Sequence, residues 1–197
     1  AVQHALPPDE VEDRACLVSP KLLSQLNDKG RLSELVAPGS CLPRRVVAPA
    51  EVREAVRELG GLPVILKVST AETTGGGAGN VLCRSDADVA AALARLGGVT
   101  RLVVERYVEG LRSYCMGAAV LADGSVAVLG GAQQVISEDG HFLANRLDPK
   151  APPPPQAFES VRDVARRAAD AGYRGIVGVD LAERADGRLA IFDLNFR

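Results

Sequence analysis

Residues 175–197 restrict the possible folds of this chain more than any other stretch. They run Gly175-Ile-Val-Gly-Val-Asp180-Leu-Ala-Glu, pass an Asp186-Gly187 step, and return as Leu189-Ala-Ile-Phe-Asp193-Leu-Asn195-Phe-Arg197. Two short apolar runs around Asp-Gly predict a β-hairpin. Side chains alternate along a strand, so Asp193 and Asn195 share one face, with Phe192, Leu194 and Phe196 on the other. Asp180, on the partner strand, can join the polar row. Three oxygen donors without His or Cys suit a hard cation such as Mg²⁺ or Mn²⁺. A solvated polar face would produce the same pattern, so the hairpin alone leaves both readings open.

The rest of the sequence narrows the class. A chain of 197 residues, 47% hydrophobic, can build one domain or two small lobes. Its net charge of −2 argues against a broad nucleic-acid footprint. No apolar run reaches the roughly 18 residues of a membrane span, and the opening residues lack the pattern of a signal peptide. Cys16, Cys41, Cys83 and Cys115 are scattered and form no CxxC pair, which reads as thiols in a reducing, cytoplasmic setting. Lysine is scarce: only Lys21, Lys29, Lys67 and Lys150 occur among many arginines. A lysine is the compact point charge suited to phosphate.

Helical patterns are expected after Ser19-Pro20, from Lys29 to Val36, from Pro49 to Leu59, after the Ser85 cap, and from Phe158 to Ala171. Strands are expected at 62–69, 79–84, 101–108, 115–121 and 125–129, with a further hairpin across 135–147. Pro152 to Pro155 reads as a surface connector. The order predicts an α+β fold of mostly antiparallel strands with helices on one face.

Two more clusters carry chemistry. Lys67 ends the apolar run Pro63-Val-Ile-Leu, and Thr74-Gly75-Gly76-Gly77-Ala-Gly79 follows. Glycines let backbone N–H groups converge on phosphate oxygens. No Gly-Lys-Ser/Thr closes this loop, so it is not a Walker loop, and a plain connecting loop fits as well. The other cluster is Glu105-Arg106-Tyr107-Val108 at the end of an apolar strand. It offers a carboxylate, backbone groups and an apolar slot to a purine base, although strands ending in charge are ordinary.

Taken in this order, the clusters resemble the ATP-grasp superfamily over roughly Asn27 to Arg197. The resemblance lies in Lys29 after Asn27-Asp28, the strand-end Lys67, the glycine loop, Glu-x-x-x-x-Gly at Glu105 to Gly110, and the closing Asp193-x-Asn195-x-Arg197. The segment 115–149 is most similar to peptide ligases of the pheganomycin type. The resemblance implies two α+β lobes with mostly antiparallel sheets clasping ATP: a small lobe at 45–107 with a glycine-rich lid, and a large lobe at 108–197 with the metal site. Residues 1–44 would be a remnant or linker of an N-terminal domain, and the chain a fragment of a longer enzyme.

By the same resemblance, Lys29 and Lys67 bind phosphates, and Thr74, Gly75, Gly76, Gly77 and Gly79 close over them. Glu105, Arg106, Tyr107 and Val108 hold the base. Asp180, Asp193 and Asn195 hold Mg²⁺ or Mn²⁺, and Arg197, with Arg146, acts on the transferred phosphate. The activity implied is ATP-dependent ligation of a small-molecule carboxylate to an amine through an acylphosphate, with a homodimer as a candidate assembly. The alternative is an ATP-binding module without turnover. Two departures matter: Asp193 stands where the family usually has Glu, and Arg112 occupies the neighbourhood where many members carry the Glu that holds the ribose.

Overall fold

The computed structural model describes residues 18–69, 79–137, 140 and 142–197. They form two antiparallel sheets, each with helices on one face. The small sheet has the order β1-β4-β2-β3 and the large one β7-β6-β5-β8-β9.

The small sheet contains β1 (Arg44–Val47), β2 (Val64–Val68), β3 (Asn80–Cys83) and β4 (Leu102–Arg106). Helix α3 (Val52–Glu58) and helix α4 (Asp86–Arg95) cover one side. Ser85 caps α4 reciprocally with Asp88, satisfying donors that a helix start leaves open. The fully buried row Val64, Leu66, Leu102 and Val104 packs against Val52, Ala55, Val89 and Ala92 of the helices. Lys67 and Glu105 belong to the opposite row, the side without helices, because strand side chains alternate.

The large sheet contains β5 (Arg112–Val120), β6 (Val126–Ile136), β7 (Phe142–Arg146), β8 (Gly175–Glu183) and β9 (Leu189–Phe196). Helix α5 (Pro155–Asp170) lies across β5, β6 and β8. Its buried residues Ala157, Val161, Val164, Ala165 and Ala168 recur at helical spacing, and the alanines allow close approach to the sheet. Proline is tolerated at the first helical turn, so α5 begins at Pro155, three residues before the expected Phe158. Helix α1 (Pro20–Asn27), capped by Ser19, and the short helix α2 (Leu32–Leu35) add Leu23, Leu26 and Leu32 to the same core beside β9. A single 3₁₀ turn at Lys29–Arg31 joins them.

One irregularity decides what the large sheet presents to its helix-free side. On β9, Asp193 pairs with Asp180 while Ile191 pairs with Leu181, leaving Phe192 as an extra residue. A β-bulge of this kind resets the alternation for the residues that follow. Ile191 therefore faces the core, whereas Asp193 and Asn195 face away from it. The expectation that Phe192 joins Leu194 and Phe196 in the core is corrected: Phe192 is half-buried and lies against Lys67, its ring centroid 5.6 Å from Nζ.

Candidate active site

The helix-free faces of the two sheets look toward each other. The small-sheet half is built on a buried ion pair. Lys67 Nζ donates to Glu105 Oε1 at 2.6 Å and to the Phe192 carbonyl at 2.7 Å. The bulge at Phe192 supplies that acceptor, so the irregularity beside Asp193 also ties the lobes together. Arg44, level with Glu105 on β1, places Nη1 3.4 Å from Glu105 Oε2.

Acids dominate the large-sheet half. Cys115, Asp180 and Asp193 stand level on β5, β8 and β9. Gln134 Nε2 donates to Asp180 Oδ1 at 3.0 Å, and Asn195 Nδ2 donates to Oδ2 at 3.3 Å. Burial, and then the neighbouring Asp193 charge, raise the Asp180 carboxyl to about 6. Burial and then Asp180 push the Cys115 thiol up to about 12, so it is no nucleophile at neutral pH.

Lys29 bridges the halves. Its ammonium meets Asp193 Oδ2 at 2.6 Å, and its carbonyl accepts from Arg44 Nη2. The preceding Asp28 accepts from Ser69 Oγ at 2.7 Å and from the Gly30 N–H at 2.9 Å. Gly30 permits this approach, since a Cβ there would collide with Ser69 Oγ. Ser69 is the last described residue before the glycine loop, so the root of that loop is anchored beside Lys29. The other root, Gly79, accepts the Val68 N–H at 3.1 Å. Thr74, Gly75, Gly76 and Gly77 lie outside the described residues.

Six of the expected residues are thus brought into one cluster: Lys29, Lys67, Glu105, Asp180, Asp193 and Asn195. Arg106, Tyr107 and Val108 lie outside that cluster, at and just beyond the end of β4. Arg106 Nη1 donates to the Leu59 carbonyl at 2.6 Å, and the Tyr107 N–H donates to the Pro63 carbonyl at 3.1 Å. With Pro63, Arg84 and Glu109 these three line an open cavity of about 390 Å³. Arg197 is exposed at the end of β9, where the Tyr173 hydroxyl accepts its N–H at 3.0 Å, and its charge reaches the Cys115 thiol. Arg146 is not brought to the cluster. It is exposed on β7, level with Gln133 and Tyr114, the row turned away from Asp180, while Asn145 is level with Gln134.

Among the described residues, five buried side-chain atoms have no hydrogen-bond partner: Arg44 Nε and Nη1, Asn80 Oδ1, Glu105 Oε2 and Gln134 Oε1. Asn80 is level with Lys67, Arg44 with Glu105, and Gln134 reaches Asp180, so all five line the gap between the sheets. Buried polar atoms left unpaired are costly, and a polar guest between the sheets would satisfy them. Sequence reasoning gave no role to Arg44, Asn80 or Gln134. The strand alternation that exposed Asp193 would have placed each of them too, once the pairing was known.

The donor set fits a divalent cation. Two carboxylates face each other with an amide beside them, and Asp180 is raised first by its burial and then by the Asp193 charge. Among the described residues no three His, Cys, Asp or Glu side chains are placed to hold a metal ion without other donors. Two carboxylates and one amide oxygen would leave coordination positions for phosphate and water, the usual habit of Mg²⁺.

Two antiparallel sheets face each other across two carboxylate-paired lysines and an acidic hairpin, and the chain belongs to the ATP-grasp family. The family model that matches, over residues 43–195, is described as L-aspartate–L-methionine ligase, ATP grasp. Solved structures share the fold. The biotin carboxylase domain of Hydrogenobacter thermophilus 2-oxoglutarate carboxylase, a dimer in complex with MgADP, ADP and bicarbonate, is 24% identical at a TM-score of 0.67. It matches 90% of this chain and 41% of its own. N5-carboxyaminoimidazole ribonucleotide synthetase from Thermus thermophilus is 23% identical at 0.66, with 90% and 47% covered. An ADP complex of the same synthetase type is 21% identical at 0.67, with 89% and 46% covered. The chain spans less than half the length of these three relatives.

Proposed function

We propose that this chain carries the nucleotide and metal site of an ATP-dependent carboxylate–amine ligase of peptide type, converting ATP to ADP and phosphate. One observation carries the reading: Lys29, Lys67, Asp180 and Asp193 converge on a gap that also holds every unpaired buried side-chain nitrogen and oxygen among the described residues. Such a gap suits a guest bearing both charge signs, and a magnesium–nucleotide complex is one. The ADP and MgADP in structural relatives support it.

Carboxylates do not condense with amines in water, because hydroxide is a poor leaving group. In the proposed reaction a carboxylate oxygen attacks the γ-phosphorus of ATP, ADP departs, and an acylphosphate forms. The amine nitrogen then attacks the acyl carbon, loses a proton and expels phosphate. Phosphoryl transfer needs positioning and charge neutralisation more than covalent help. Lys29 and Lys67 neutralise phosphate charge, and both must first release Asp193 and Glu105. Glu105 accepts from the amino group of the base, while the backbone at Tyr107 and Val108 borders it. The segment from Thr74 to Gly79 covers the phosphates and excludes water. Asp180, Asp193 and Asn195 would hold Mg²⁺, which would supply neutralisation of phosphate charge. Arg197 steadies the transferred group.

The family description makes an amino acid the first choice for both the carboxylate and the amine, so L-aspartate and L-methionine head the substrate panel. A homodimer in a cytoplasmic setting completes the proposal. Among the described residues, Cys41, Cys83 and Cys115 are free thiols and no helix is long and apolar enough to cross a membrane.

The test is ADP release by the full-length protein with Mg·ATP and pairs of amino acids, with hydroxylamine to trap the acylphosphate. ADP formation that requires a carboxylate and is coupled to an amine is expected. A second reading, nucleotide binding without turnover, is favoured by the Lys29 ion pair that already occupies the short Asp193 side chain. ATP binding with no substrate-stimulated ADP would establish it instead.

A further inference from the structure

Once Lys67 moves to a phosphate, Glu105 is left behind. Glu105 is 1% exposed, and of its two oxygens only Oε1 is hydrogen-bonded, to Lys67. A buried carboxylate deprived of its one strong partner is costly, and it answers by taking up a proton. A protonated Glu105 would no longer be the charged acceptor that the base amino group requires.

The groups facing Glu105 are few. Lys67 faces it from β2 and Arg44 from β1. The Cys41 thiol, just before β1, feels the charges of Arg44, Glu105 and Lys67, and burial holds it above its usual range. Arg44 has a side chain 8% exposed, yet Nε and Nη1 have no hydrogen-bond partner. Nη1 stands 3.4 Å from Glu105 Oε2, which is equally unpaired. Closing to the ordinary charge-assisted distance of about 2.8 Å would satisfy both. Nη2 meanwhile donates to the Lys29 carbonyl. One guanidinium therefore holds the backbone of one lysine and faces the counter-ion of the other.

We propose that Arg44 is a positioning residue that takes over Glu105 as Lys67 departs for the nucleotide, so that Lys67 is released without stranding a buried charge. The inference rests on the nucleotide reading above. Arginine suits the task because it stays charged and presents donors in a rigid fork. A lysine at 44 would keep the charge and lose the hold on Lys29.

Calorimetric titration of the full-length protein with Mg·ATP, in two buffers of different ionisation enthalpy, tests this. Arg44→Gln should weaken binding about tenfold or more and add close to one proton taken up per nucleotide bound. Arg44→Lys should recover most of the affinity and remove the added proton. In a Glu105→Gln background, Arg44→Gln should change affinity by less than about threefold. A purely structural role for Arg44 would move neither the proton count nor its dependence on Glu105. Wild-type affinity and proton count in Arg44→Gln overturn the proposal, as does a penalty undiminished by Glu105→Gln. If Arg44→Gln does not fold, Arg44→Lys compared with and without Glu105→Gln decides by the same criteria. Absence of Mg·ATP binding by the wild-type protein overturns the nucleotide reading itself, and this inference with it.

Discussion

The two sheets meet the gap with opposite charge problems. On the small sheet, Lys67 and Glu105 pair at 2.6 Å with both side chains almost fully buried, and Arg44, 3.4 Å from Glu105, leaves a cation to spare. On the large sheet, Asp180 and Asp193 stand level on neighbouring strands, and Lys29, partly exposed, is what offsets them. The small-sheet half can stay closed without a guest, whereas the large-sheet half is short of positive charge. In the proposed function, that asymmetry puts the cation on the large-sheet side and the phosphates on the small-sheet side. It also means that the ligand-free protein carries its electrostatic strain at Asp180.

Breaking the small-sheet half should cost most. Lys67→Met combined with Arg44→Gln leaves Glu105 buried without a cation, and should destabilise the protein by about 3 kcal/mol or more in denaturant unfolding, whereas Lys67→Met alone, with Arg44 in place to take Glu105, should cost clearly less. Adding Glu105→Gln to the double variant should return much of its loss, because the stranded charge disappears. The strained half should respond in the opposite direction. Asp180 is raised from 3.8 to about 6. The folded state then binds the extra proton between about pH 4 and pH 6, so stability falls as pH rises through that window and stays lower above it. Asp180→Asn should abolish that fall and stabilise the ligand-free protein at pH 7 by up to about 3 kcal/mol, while weakening Mg²⁺-dependent nucleotide binding. Unfolding curves at pH 4, 5, 6 and 7 would show both effects.

A smaller change sharpens the contrast. Gln134→Ala removes one of the two amide donors on Asp180, so the Asp180 midpoint should move further up in an NMR titration, with a stability loss at pH 7 of about 1 kcal/mol. Smallest of all, Arg188→Ala breaks an exposed pair with Asp186 far from the gap. It should leave the unfolding midpoint and nucleotide affinity unchanged within error, as isolated surface pairs contribute little.

How much of this was legible depended on how local each feature is. The Asp186-Gly187 turn, the Ser19 and Ser85 caps and the antiparallel α+β order follow from short-range backbone preferences, and they stand in the structure as read. Lys67, Asp180 and Asp193 were findable because each breaks an apolar run on its own strand. Arg44, Asn80 and Gln134 break nothing locally. Their meaning comes from pairings that bring distant strands level, such as Asp180 with Cys115, and Gln134 with Asn145. Simple alternation put Asp193 and Asn195 on a shared face correctly and misplaced Phe192, because a bulge leaves no compositional trace. The start of α5 was set three residues late because a proline run was read as an obstacle throughout, although the last of those prolines opens the helix.

The extra residue on β9 makes Phe192 a spare link in an otherwise taut ribbon. Ile191 and Asp193 already pair with successive residues of β8, so excising Phe192 would leave Asp193 and Asn195 pointing where they do now. What would vanish is the carbonyl and the ring against which Lys67 rests while it waits. Excising Leu194 instead would swing Asn195 into the oily space beneath α5 and drive Phe196 out of it. The same cut, two positions apart, should therefore spare the hairpin in one case and wreck it in the other.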